Sequence, residues 1–366
     1  MSLFRSSIWV FTLLAMASAL MAADPLPANG ALWPDNNGVH INAHGGGILL
    51  HEGTYYWFGE HKIGGTEGND AHVGVHVYAS KDLTHWTDRG VALAVSKDPK
   101  HELADGCRIE RPKVIYNAKT ATFVMWFHFD NKNYSFARAA LAISKTPTGP
   151  YTYVASLRPN AGAWPVEATD EMKNPPESVT SRKGRAGVVA GNLMRRDLPK
   201  GQMSRDMTLF VDDDATAYLI TAAEDNQTLH LHELTADYQG FSGKWTRILP
   251  GDYNEGPTVF KHHGAYYMIT SGCSGWDPNA ARSATATSML GPWKKLGNPC
   301  RGTEQEVKTT FGAQSTFALP LSDGGLLFMA DRWQPKDAID GRYVWLPITW
   351  EGDQPILRWQ EHWKTE

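Results

Sequence analysis

The chain has 366 residues, a formal charge of -4 and 11% aromatic residues, including 14 Trp and 13 Tyr. So small a net charge gives no basic field to hold a polyanion, which excludes nucleic acid as the expected partner. The length allows two ordinary domains or one large all-β unit, and abundant aromatic rings suit both a rigid core and the apolar faces of sugars.

The first residues read as a targeting segment. Arg5 precedes an apolar run from Ile8 to about Met21, with small residues at Ala17-Ser18-Ala19 and Ala22-Ala23. This fits a secretory signal over residues 1–23, and the run is short for a membrane span. The mature chain, 24–366, is then expected in the periplasm or outside the cell, with no later span. Cys107, Cys273 and Cys300 make an odd count for an exported chain. At most one internal disulfide is possible, with Cys273 and Cys300 the preferred pair and Cys107 a buried thiol.

After a turn-rich stretch, Gly45 to Glu60 reads as strand, tight turn at Glu52-Gly53 and strand. Val73 to Ser80 is a third strand, and the turn Asp82 to Gly90 leads to a fourth. Four short strands in a meander make one propeller blade. The layout recurs from Glu110 to Tyr151, from Ser204 to Arg247, from Asn254 to Trp293 and from Ala313 to Ile348. Five copies in one chain predict an all-β, five-bladed β-propeller forming a single domain. The insertion Arg158 to Met203, rich in Pro, Gly and charge, is expected to be a long surface loop that roofs the channel mouth.

In a propeller the first strand of each blade lines the channel, so its leading residue lies near the axis at one mouth. Those leaders are His44, Glu110, Asp206, Glu255 and Gln314. Glu255 precedes Gly256-Pro257, and Pro257 cannot donate to a central ladder, so the acid is expected at a strand edge facing the cleft. Any one leader alone would serve a turn or an ion pair. Repeated at equivalent places, they predict a converging site, which suits glycoside hydrolysis: a protonated carboxyl donates to the leaving oxygen while a second group activates water.

The ordered segments Ile109-Glu110-Arg111-Pro112-Lys113-Val114, Ser204-Arg205-Asp206-Met207, Asn254-Glu255-Gly256-Pro257, Thr270 to Trp276 and Ala313-Gln314-Ser315-Thr316 resemble glycoside hydrolase family 43, in its exo-β-1,3-galactanase-like branch. The resemblance covers nearly all of the mature chain. It implies that Glu255 is the general acid and that Glu110 orients the sugar and sets the acid's pKa. It implies that Gln314 serves as base in an imidic acid form, or holds the water while a carboxylate such as Glu60 takes the proton. The chain departs from the wider family at Ala43-His44-Gly45-Gly46-Gly47, where most members carry an Asp base. Further sugar contacts implied are His44, Glu60, Tyr134, Asp206 and Asn226, with Trp276 as a stacking platform. No cofactor and no metal are implied, and a monomer acting on oligo- or polysaccharide is expected. Inverting exo-cleavage of β-1,3-linked galactose, a furanosidase activity (α-L-arabinofuranosidase or β-galactofuranosidase) and sugar binding without turnover are the three readings left by the sequence.

Overall fold

The computed structural model describes residues 27–174 and 192–363. The leader, and so its cleavage, lies outside them. Alternating apolar residues, punctuated by Gly and Asp turns, produce successive antiparallel meanders. The first is β1 (His44–His51), β2 (Thr54–His61), β3 (Gly74–Ser80) and β4 (Thr87–Ala94), paired in that order. The second is β5 (Arg108–Asn117), β6 (Thr122–Asp130), β7 (Arg138–Ser144) and β8 (Thr152–Leu157). The third is β9 (Met207–Val211), β10 (Ala217–Ala223), β11 (Thr228–Leu234) and β12 (Phe241–Ile248). The fourth is β13 (Asn254–His262), β14 (Ala265–Gly272), β15 (Arg282–Ala286) and β16 (Lys294–Gly297). No helix among the described residues is long and apolar enough to cross a membrane.

The expected count of five is corrected by the last part of the chain, because the propeller has six sheets. One is β18 (Gln314–Pro320), β19 (Leu326–Arg332) and β20 (Arg342–Pro347); the other joins β17 (Cys300–Arg301), β21 (Thr349–Glu351) and β22 (Gln354–Arg358). The β17–β22 pairing is parallel and brings Cys300 opposite Leu357. Two- and three-residue strands paired across a long separation carry too little alternation to be read locally. The long inner strands β1, β5, β9, β13 and β18 each lie against the next, and β18 returns to β1.

Closure between the first sheet and the sheet of β18, β19 and β20 is carried by aromatic packing. Trp33, Trp57, Trp86, Tyr343, Trp345 and Trp363 form one buried cluster. Trp33 meets Trp345 edge-on at 4.9 Å between ring centroids, and Asn29 donates to the Trp345 carbonyl oxygen at 2.7 Å. All three cysteines are free, which corrects the Cys273–Cys300 pairing. Cys273 follows β14 at an exposed position, whereas Cys300 lies buried in the sixth sheet. The insertion's described parts pack along the third sheet: Glu167 accepts from the Thr246 hydroxyl at 2.9 Å and the Arg247 amide at 3.0 Å. Residues 175–191, on which the expected roof would rest, lie outside the described residues.

Truncating Trp345 to Ala removes the centre of this closing cluster and should cost about 3–5 kcal/mol. Chemical denaturation should show the midpoint falling with little change of slope; an unchanged midpoint would remove the cluster from its role in closure.

Candidate active site

The inner strands aim their leading side chains by a shared device. Register shifts fall at His44/Gly47 in β1, Glu110/Lys113 in β5, Glu255/Thr258 in β13 and Ser315/Phe317 in β18. A bulge at a strand's opening bends the chain and turns the leader toward the channel mouth. The residues after three leaders have positive φ: Gly45 at 60°, Arg111 at 56° and Gly256 at 54°. At Gly45 the need for glycine is steric too, since a Cβ there would sit 2.3 Å from the Glu60 Oε1. Arg111 adopts a conformation that side-chain-bearing residues rarely take, and its anchors hold it there.

The leaders meet in a cavity of about 370 Å³. Glu60, Glu110, Tyr134, Asp206, Asn226, Glu255, Trp276 and Gln314 line it, as anticipated, together with Lys62, Arg111, His128, Arg205 and Trp333. His44 does not. It is fully buried, stacked at 5.4 Å on Tyr343, and lies at the β1 bulge, away from the cavity lining.

Glu110 is held as an anion. Its Oε2 lies 2.8 Å from the His128 Nδ1, and its Oε1 accepts from the Tyr134 hydroxyl at 2.5 Å. Burial alone would raise its pKa, but His128 and Tyr134 outweigh it and bring it down to about 2. Burial likewise disfavours the His128 imidazolium, but Asp130, 3.2 Å from Nε2, and Glu110 lift its pKa to about 9. Asp130 also places Tyr134: its two oxygens accept from the amides of Asn131, Phe136 and Ala137, fixing the turn that carries the phenol.

Glu255 is held neutral. Burial, then the negative charge of Asp206, push its pKa up to about 7 against the lowering effects of Cys273 and Arg111. Its Oε1 accepts from the Asn226 Nδ2 at 2.9 Å. Asn226 ends a run with Glu224 and Asp225 in which every φ is positive, a tight turn that carries the amide to the acid.

Arg111 joins the walls. Its Nη2 lies 3.0 Å from the Asp206 Oδ2 and donates to the Gln314 Oε1 at 2.6 Å; its Nη1 donates to the Ser315 carbonyl oxygen at 3.0 Å. Its backbone amide donates to the Glu60 Oε1 at 2.9 Å, while the Glu60 Oε2 pairs with the Lys62 Nζ at 2.6 Å. Trp333 donates from Nε1 to the Gln314 Oε1 at 2.8 Å, lies under the Arg111 guanidinium and meets Trp276 edge-on at 5.8 Å. Trp276 is 43% exposed, an aromatic wall open to solvent.

Glu110, His128 and Asp206 offer ligand atoms within 4.8 Å of one another, the spacing of a cation site. Both His128 nitrogens already face carboxylates, so that ring has no lone pair to give. Residues missed in sequence had a signal, because second-strand residues stand opposite the leaders: His128 opposite Glu110, Ser271 opposite Glu255 and Asp331 opposite Gln314, as the anticipated Glu60 stands opposite His44.

A neutral carboxylic acid and a clamped carboxylate in one aromatic-walled cavity define a glycoside hydrolase site: one supplies a proton, the other charge. Comparison with known proteins extends this to a family. Residues 190–353 match the family described as glycosyl hydrolases family 43. A β-1,3-galactosidase of that family, solved with galactodeoxynojirimycin, is 49% identical, covers 92% of this chain and is itself covered in full, with a TM-score of 0.87. The exo-β-1,3-galactanase of Clostridium thermocellum is 38% identical, with 90% of this chain and 64% of that one aligned at a TM-score of 0.72. A β-D-galactofuranosidase of Aspergillus niger is 29% identical over 131 residues, 35% of this chain and 38% of its own length, so the chain spans well under half of that curated relative. The chain belongs to glycosyl hydrolases family 43 and is a glycoside hydrolase.

The pKa of Glu255 gives a signed expectation. The proton donor must be protonated, so kcat/KM should be lost as pH rises through about 7, while the acid side stays flat because Glu110 is ionised down to about 2. Replacing Asp206 by Asn removes a neighbouring negative charge and should move the alkaline limb to lower pH. A limb that stayed in place or moved upward would contradict this assignment of charge.

Proposed function

We propose that the protein is an exo-acting, inverting hydrolase that releases terminal galactose from β-1,3-linked galactan. The carrying observation is the pairing of neutral Glu255 with ionised Glu110 in a cavity walled by Trp276 and Trp333. Support for the substrate comes from the β-1,3-galactosidase and exo-β-1,3-galactanase relatives aligned over some nine-tenths of this chain. The shorter alignment to a galactofuranosidase supports the furanoside reading more weakly. The apolar leader further supports export of the mature chain.

In this reading Glu255 donates its proton to the glycosidic oxygen as the C1–O bond breaks. Glu110, fixed by His128 and Tyr134, receives sugar hydroxyls and stabilises positive charge developing at the ring. Gln314 places the water. Its oxygen accepts from Arg111 and Trp333, both purely donors, so the amide orientation is set by its partners. Its nitrogen donates to the Ser271 hydroxyl at 2.9 Å, leaving one N–H for a water or substrate oxygen. An imidic acid form would put an O–H against two donors. This network favours orientation of the water over acceptance of its proton.

The test is product analysis on β-1,3-galactan, an aryl β-galactopyranoside and aryl arabino- and galactofuranosides. Galactose should be the sole early product from galactan, appearing first as the α-anomer by proton NMR. Turnover of furanosides alone would replace the substrate, and tight sugar binding without turnover would replace the enzyme by a lectin. Replacing Glu255 by Gln should lower kcat/KM on galactan by about 10²–10⁴-fold, with far less loss on a dinitrophenyl galactoside whose leaving group needs no proton. Changing Gln314 to Ala should slow both substrates alike, since water attacks in each; equal losses for the Glu255 variant would deny it the acid's role.

A further inference from the structure

The turn that serves the general acid must itself be held. Glu224, Asp225 and Asn226 join β10 to β11 with φ of 52°, 55° and 64°. Side-chain-bearing residues visit this left-handed region singly, so three in succession store strain that their surroundings must outweigh. At the end of the run the Asn226 Nδ2 donates to the Glu255 Oε1 at 2.9 Å. In a protonated carboxyl, the oxygen that accepts such a bond is the carbonyl oxygen, which leaves the proton on Oε2. The place of the turn thus sets which Glu255 oxygen faces the substrate as donor.

The clamp on the turn is the Glu224 carboxylate, which is 3% exposed and lies outside the lining of the catalytic cavity. Its Oε1 lies 2.8 Å from the His230 Nε2 and accepts from the Arg247 Nε at 2.5 Å. Its Oε2 accepts from the Arg247 Nη2 at 2.8 Å and from the Thr228 hydroxyl at 3.1 Å. Burial alone would raise its pKa, but His230 and Arg247 outweigh it and bring it down to about 2. Thr228 and His230 stand on β11 and Arg247 on β12, so one buried anion ties the strained turn to the two strands that follow it. Asp225 pairs with Arg196 at 2.8 Å, but both are about half exposed, where water weakens an ion pair. The far side of the turn is tied to the acid's own approach, because the Gln227 carbonyl oxygen accepts from the Tyr253 amide at 3.1 Å.

We propose that Glu224 is a positioning residue for the reaction: locked by Arg247, His230 and Thr228, it fixes the left-handed turn so that Asn226 presents its amide to Glu255. The inference rests on the acid role given to Glu255 above. Glu224 touches neither sugar nor water; it acts through Asn226.

The experiment replaces Glu224 by Gln, which keeps the length but sets an N–H against the donors of Arg247, and in parallel Arg247 by Lys, which keeps the charge but gives up the fork. Each variant should lower kcat/KM on galactan by about 10- to 100-fold and on dinitrophenyl galactoside by less than about threefold, because only galactan's leaving group needs the proton. Retained turnover of the activated substrate also shows that the variant is folded. In an Asn226→Ala background, adding Glu224→Gln should cost less than about twofold more on galactan, since both changes break one chain of contacts. Equal losses on the two substrates in both variants would make Glu224 a merely structural residue and overturn the proposal, as would unchanged kcat/KM on galactan or losses that multiply with that of Asn226→Ala. Failure of the wild type on every glycoside, or equal losses for Glu255→Gln, would instead strike the proposed function.

Discussion

The site depends on one buried guanidinium. Arg111 sits at the bulge of β5, and its backbone and fork together reach Glu60 from the first sheet, Asp206 at the opening of the third and Gln314 and Ser315 from β18. A planar cation with donors in a fixed fork can serve several acceptors at once, which a lysine could not. Burial disfavours its charge, but Asp206, Glu60, Asp331 and Glu110 more than offset this and raise its pKa. The positive φ at Arg111 is then the local cost of a contact that ties several sheets at their common mouth.

This arrangement divides two acids into two roles. Glu110 keeps its charge because an imidazolium and a phenol face it; Glu255 keeps its proton up to about pH 7 because burial, then the negative field of Asp206, disfavour its charge. Neither state follows from residue type, since both are glutamates with the same ordinary pKa. The difference lies in what the adjacent second strands and turns deliver: His128 from β6, Tyr134 from the turn after it, and Asn226 from the turn between β10 and β11. Aromatic walls then give the cavity an apolar face next to its charged one, the pairing a sugar ring presents.

Much of this was legible in the sequence. Glu255 with Gly256-Pro257, the repeat of a polar leader on each long inner strand, and the tight turn Glu52-Gly53 are local signals, and local signals fix the antiparallel meanders. The sixth sheet was not legible, because Cys300–Arg301 finds its partner only through the parallel pairing with Gln354–Arg358. Cys273 and Cys300 look paired along the chain, yet one closes a strand at the mouth and the other enters a different sheet. His44 holds a leader's place but lies buried at the β1 bulge, stacked on Tyr343. His128 escaped because its importance comes from cross-strand register opposite Glu110, which one strand's pattern does not display, and Arg111 and Trp333 because their partners lie far away in the chain.

The most direct measurement of the central claim is the titration of the glutamate side-chain carbons by carbon-13 NMR, with the Glu255→Gln variant to assign the resonance. The account predicts a Glu255 midpoint near pH 7 in the wild-type enzyme while the Glu110 resonance stays that of an anion throughout. A Glu255 midpoint at the ordinary carboxylate value, or a Glu110 that takes up a proton in the same range, would contradict the division of roles on which the site is built.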